Sequence, residues 1–126
     1  MSKFKCCREG YATYETKMNA KSIRKIRNIV TNARKHPYYI GYEIKSHTEL
    51  RGIYCIDISK HGRLINKFVF CPDTEGNIES IAIYGDNLRS HMNAIRQSMK
   101  IFDMEVESVD FECCYSDYLD VYLKTE

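Results

Sequence analysis

Apolar residues recur along this chain with two distinct periods. From residue 19 to 36, Ile23, Ile26, Val30 and Ala33 follow one another at i, i+3, i+7 and i+10, and Ile29 widens the stripe. That 3.6-residue period predicts an amphipathic helix. Asn19 is its expected N-cap, and Pro37 its expected end, because proline lacks the N–H that would continue the ladder. A second helical stripe runs through Leu88, Met92, Ile95, Met99 and Phe102, after Gly85-Asp86-Asn87, with Asp86 or Asn87 as its expected cap. The remaining apolar residues alternate or form short runs bounded by turn residues, which predicts strands over 38–47, 52–59, 64–71, 78–84, 104–113 and 118–123. Tyr54, Ile56 and Ile58 share one face, as do Ile81 and Ile83. His61-Gly62 and the run Pro72-Asp73-Thr74-Glu75-Gly76-Asn77 are turn signals. Residues 4–16 read as extended, with Gly10 as a break or bulge.

The expected order is β-α-β-β-β-β-α-β-β. Consecutive strands imply hairpins, so the fold class is α+β: an antiparallel sheet with two amphipathic helices packed on it. At 126 residues the chain is expected to form a single globular domain spanning 1–126. No apolar run approaches the roughly 18 residues that a membrane-spanning helix needs. Residues 1–10 carry no apolar stretch of the secretory kind, so the cytoplasm is the expected compartment, or the host cytoplasm for a viral protein. The six cysteines (Cys6, Cys7, Cys55, Cys71, Cys113 and Cys114) are expected to be reduced there. Neither they nor the scattered His36, His47, His61 and His91 show zinc-ligand spacing, and no cofactor is expected. Isoleucine outnumbers leucine 14 to 5, a bias that accompanies AT-rich coding DNA and is common in small proteins of bacteriophages and Gram-positive bacteria, so a phage- or virus-encoded protein is one expectation.

Charge changes the picture most. The formal net charge of +2 is the remainder of two opposed halves. Residues 1–70 hold 15 basic and 5 acidic side chains, and residues 71–126 hold 4 and 12. No acid occurs between Thr16 and Tyr42. Lys21, Arg24, Lys25, Arg27 and Lys35 lie on the outer face or border of the first helix, and Arg89, Arg96 and Lys100 form an outer stripe on the second. If both helices cover the same sheet face, the two stripes merge into one basic surface. The C-terminal segment offers the opposite: Glu112, Tyr115, Asp117, Tyr118, Asp120 and Tyr122, where acids alternate with tyrosines suited to interfaces.

Chemical motifs are sparse. No P-loop, dinucleotide-binding, zinc-protease or nucleophile-elbow pattern occurs. Tyr39-Ile40-Gly41 and Gly52-Ile53-Tyr54 are the tripeptides of the GIY-YIG nucleases in reversed order, without the arginine-bearing helix that should follow, which excludes that site geometry. The Gly85-Asp86-Asn87 turn with Arg89 nearby is a candidate phosphate cradle. The expectation is therefore a non-enzymatic interaction or inhibitor protein. It would grip a protein partner through the acidic hairpin or the basic helices, or pair its opposite charges with a second copy as a homo-oligomer. The alternative is a nucleic-acid or small-nucleotide binding module using the basic helix faces. That alternative loosely resembles the double-stranded-RNA-binding arrangement of helix, antiparallel strands and helix. It has four strands where that module has three, and lacks its lysine motif. No membrane role is expected.

Overall fold

The computed structural model describes residues 17–48, 53–110 and 118–124 of the chain. Helix α1 spans Ala20–Lys35 and is followed by strands β1 (Glu43–Thr48), β2 (Tyr54–Lys60), β3 (Arg63–Pro72) and β4 (Ile78–Tyr84). Helix α2 (Met92–Ile101) and strands β5 (Val106–Asp110) and β6 (Tyr118–Leu123) complete it. The six strands form one sheet in the order β1-β2-β3-β4-β6-β5, with every neighbouring pair antiparallel. This is the α+β architecture expected from the sequence. The extended reading of residues 4–16 lies outside the described residues.

The first four strands are a meander, each hairpin closing where the sequence places its turn residues. Gly62, at φ +76°, turns β2 into β3 beside His61, which also has positive φ. In the β3–β4 turn the Asp73 carboxylate accepts from the backbone N–H of Glu75 and Asn77, at 2.8 and 3.0 Å. The chain then leaves the sheet through α2 and returns as β5, parallel to β4 but one position further out. Strand β6 fills the gap between them. The unit is a split β-α-β.

Both helices cover the same sheet face. Ile26, Ile29, Val30 and Ala33 of α1 and Ile95 and Met99 of α2 share one core with Ile44, Ile56, Ile58, Phe68, Phe70, Ile81, Ile83, Leu119 and Val121. The sheet residues in that core alternate along their strands, as a pleat requires. At β5 a register shift between Val106 and Ser108 lets Val106 and Val109, three residues apart, pack against this same core. The Tyr39 hydroxyl ties the turn after α1 to α2, 2.6 Å from the Ser98 Oγ.

The other sheet face is buried as well, around Cys55, Val69, Cys71, Ala82 and Tyr118. Cys55 belongs to no disulfide, and the Cys71 Sγ lies 3.7 Å from the Val69 carbonyl oxygen. Among the described residues no helix is long and apolar enough to cross a membrane.

Two boundaries differ from the sequence expectation by four residues or more. The strand expected to begin at residue 38 begins at Glu43, because Pro37–Tyr39 form a 3-10 turn capped by the His36 ring. Gly41, at φ +88°, then redirects the chain into β1. The second helix starts at Met92, since Leu88–His91 form a 3-10 turn. Leu88 keeps its place in the core, but Asn87 sits in the left-handed region and caps nothing with its side chain.

Candidate functional site: the basic helix layer

Helix α1 forms where its apolar stripe and cap both demand it. The Asn19 side-chain oxygen accepts from the Ser22 N–H at 2.8 Å, and the His36 N–H closes the other end on the Ala33 carbonyl. With Ile26, Ile29, Val30 and Ala33 turned to the sheet, Lys21, Arg24, Lys25, Arg27 and Lys35 are all exposed. Arg34 is used structurally: its Nε donates to the Ile44 carbonyl of β1 at 2.9 Å. The 16 residues of α1 include six cations and no acid, on a rod about 24 Å long at 1.5 Å per residue.

Helix α2 lies on the same side of the sheet and touches α1. Arg96 and Lys100 on α2 and Arg89 in the preceding 3-10 turn are exposed. The two stripes expected from sequence thus lie in a single layer. Lys21, Arg24, Lys25, Arg27, Lys35, Arg96 and Lys100 form no ion pair with any described carboxylate; Asp86 pairs with Arg63, and Asp57 lies beside His47. Cations spaced this closely repel one another, and an external anion relieves that repulsion.

The acidic surface fares differently. Tyr118, Asp120 and Tyr122 do share one sheet face, opposite Leu119 and Val121. That face is inside the protein: the three residues are 6, 4 and 5% exposed, and the Tyr118 hydroxyl donates to the Asp120 carboxylate at 2.8 Å. Their expected place on a solvent-facing docking surface is therefore corrected, because this face of β6 is covered and all three side chains are buried. Glu112, Tyr115 and Asp117 lie outside the described residues. The phosphate cradle at Gly85-Asp86-Asn87 is also withdrawn. Asp86 pairs with Arg63 at 3.2 Å, and the turn it opens is a 3-10 turn of four residues.

Sequence reading missed a polar row on the second sheet face. Cross-strand register places Lys45 opposite Asp57, Asp57 opposite Lys67, Lys67 opposite Tyr84, and Tyr84 opposite Tyr118. The His47 Nε2 lies 3.0 Å from the Asp57 Oδ2, and the Tyr84 and Tyr118 rings are 4.9 Å apart. The signal was present: Asp57 interrupts the apolar run between Ile56 and Ile58, and Lys67 directly precedes Phe68, Val69 and Phe70. Register alone shows that those positions line up. Cys55 stands opposite His47, giving a thiol, an imidazole and a carboxylate in neighbouring positions. Cys55 is wholly buried, so no substrate reaches its sulfur. Among the described residues no group of three or more His, Cys, Asp or Glu side chains is placed to hold a metal ion.

No protein-family model matches the chain, and no curated protein or solved structure matches it either.

Proposed function

We propose that this chain is a non-catalytic binding module that docks nucleic acid through the outer faces of its two helices. One observation carries the reading: a helical layer in which Lys21, Arg24, Lys25, Arg27, Lys35, Arg96 and Lys100 are exposed and pair with no described carboxylate. Phosphates are the ligand such a layer suits, since neutralising them releases condensed counterions and makes affinity grow with the number of cations engaged. The surface is rigid, because each helix is fixed by a buried apolar stripe, so little ordering entropy is lost on docking. The work is assigned to the cytoplasm, where nucleic acid is present. A protein partner gripped by the acidic hairpin is the weaker reading, since Tyr118, Asp120 and Tyr122 are interior. Inhibition of an enzyme, a viral origin and head-to-tail pairing of copies gain nothing from these observations.

The test is fluorescence anisotropy with labelled DNA and RNA oligonucleotides over a salt series. With about five phosphates neutralised, the slope of log K against log salt is about −4.5, a loss of roughly 500-fold between about 50 and 200 mM. The triple substitution Arg24→Glu, Lys25→Glu, Arg27→Glu leaves the fold intact and removes binding. Absence of binding to either polymer at about 50 mM salt overturns the reading and leaves an acidic protein as the partner to seek.

A further inference from the structure

An open cavity of about 330 Å³ lies between the end of α2, the start of β5 and the end of β6. It is lined by Arg96, Met99, Lys100, Met104, Glu105, Val106 and Lys124. Local backbone geometry builds its floor. Asp103, at φ +59°, ends α2 in the left-handed conformation. Its N–H bonds the Lys100 carbonyl and the Met104 N–H bonds the Met99 carbonyl, both at 3.0 Å. This is the Schellman arrangement, which brings the residue after the left-handed turn back against the last helical turn. Here it joins Met104 to Met99, and both are buried. The Lys124 N–H donates to the Glu105 carbonyl at 2.9 Å, closing the wall across the two segments. The rim holds three exposed cations and one exposed carboxylate, and Arg96, Lys100 and Lys124 form no ion pair with any described carboxylate.

We infer that this cavity seats a nucleotide, its base over Met99, Met104 and Val106 and its phosphate against Arg96, Lys100 and Lys124. The inference rests on the polyanion reading and specifies it. Thioethers make favourable contacts with aromatic rings and adapt to their outline, so a floor with two methionines suits a planar base. The volume is at the lower end of the roughly 300–1,000 Å³ of small-ligand sites, enough for one nucleotide rather than a stacked run. Continuity with the α2 stripe through Arg96 and Lys100 means that a strand docked on the helices can place an unpaired base here. Single strands and frayed ends are then bound more tightly than blunt duplex.

The experiment follows the 13C methyl signals of methionine in the full chain during titration with adenosine 5′-monophosphate, ribose 5-phosphate, adenosine and octyl phosphate. The nucleotide shifts Met99 and Met104, and each of the three partial mimics binds at least tenfold more weakly. Lys100→Glu combined with Lys124→Glu lowers nucleotide affinity at least tenfold, with thermal unfolding confirming that the variant is folded. Octyl phosphate binding as tightly as the nucleotide overturns the inference, because the floor would then have no preference for a base. Unmoved Met99 and Met104 at about 10 mM nucleotide also overturn it, since even a Kd near 1 mM would be saturated there. If oligonucleotides still bind the helices in that case, the polyanion reading survives. If the nucleotide binds and oligonucleotides do not, the cavity stands and the helix-layer reading falls.

Discussion

Asn19 joins the start of α1 to the β3–β4 turn. Its Oδ1 caps the helix, its Nδ2 donates to the Glu75 carbonyl and the Asn77 side chain, and its backbone N–H donates to the Gly76 carbonyl. Gly76 is fixed by the same contact. A Cβ there would lie 2.7 Å from the Lys17 carbonyl oxygen and 2.8 Å from the Asn19 nitrogen, and its φ is +86°. We expect Asn19→Ala to cost about 1–2 kcal/mol. Gly76→Ala should cost more, because strained φ and a backbone clash add. Urea unfolding midpoints at constant m-value check both. Tyr39 makes a second residue-scale prediction. Burial pushes its hydroxyl up to about 12, with the Ser98 hydrogen bond pulling the other way. Below pH 10 the phenol is neutral in both folded and unfolded chains. Between about 10 and 12 the unfolded chain ionises first, and stability falls by up to about 3 kcal/mol. Tyr39→Phe lacks that component, so the stability difference between wild type and variant shrinks as pH rises through this window.

At the scale of elements, α1 was legible in full: cap, stripe and proline terminator all lie within its own sequence, and local rules decide them. Strands β4 and β6 were legible to the residue, because alternation and flanking turn residues agree there. Strand β1 and the start of α2 were misplaced. A tyrosine- and isoleucine-rich run after Pro37 and an Asp-Asn pair before Leu88 both carry the right local composition, yet tertiary contacts claim those residues for 3-10 turns. The end of α2 offers a test of local strain. Asp103 occupies a left-handed position that favours glycine. Asp103→Gly should raise stability by about 1 kcal/mol, read as a higher urea midpoint, and leave the cation rim of the neighbouring cavity unchanged.

At the scale of the whole molecule, the two sheet faces differ in what they bury. The helix-covered face is mainly apolar, with Ser22 and Ser98 as buried polar residues of the helices, whereas the opposite face combines Cys55, Val69 and Ala82 with Ser80, Asp120 and two tyrosines. Such polar groups withstand burial only when satisfied, as Asp120 is by Tyr118. Cys55 at the centre of this face should resist a maleimide in the native protein and react fully once urea unfolds the chain, read by intact mass. A full count of six thiols in freshly lysed, denatured protein is the expected outcome, and a lower count overturns the expectation of reduced cysteines.

The sequence by itself determined the fold class, the order of the described elements and the basic character of both helices. Those features depend on periodicity and on charges a few residues apart. Only the tertiary structure decided that the two basic stripes share one layer, since that depends on α2 crossing the same sheet face as α1. It also decided that the tyrosine-flanked Asp120 is interior. Alternation along β6 separates its two faces but does not say which is covered, and the strand's position between β4 and β5 is a matter of topology. The cavity at the end of α2 was invisible for the same reason. Its cations and methionines are spread over residues 96 to 124, and they meet because a left-handed turn and an edge strand bring them together.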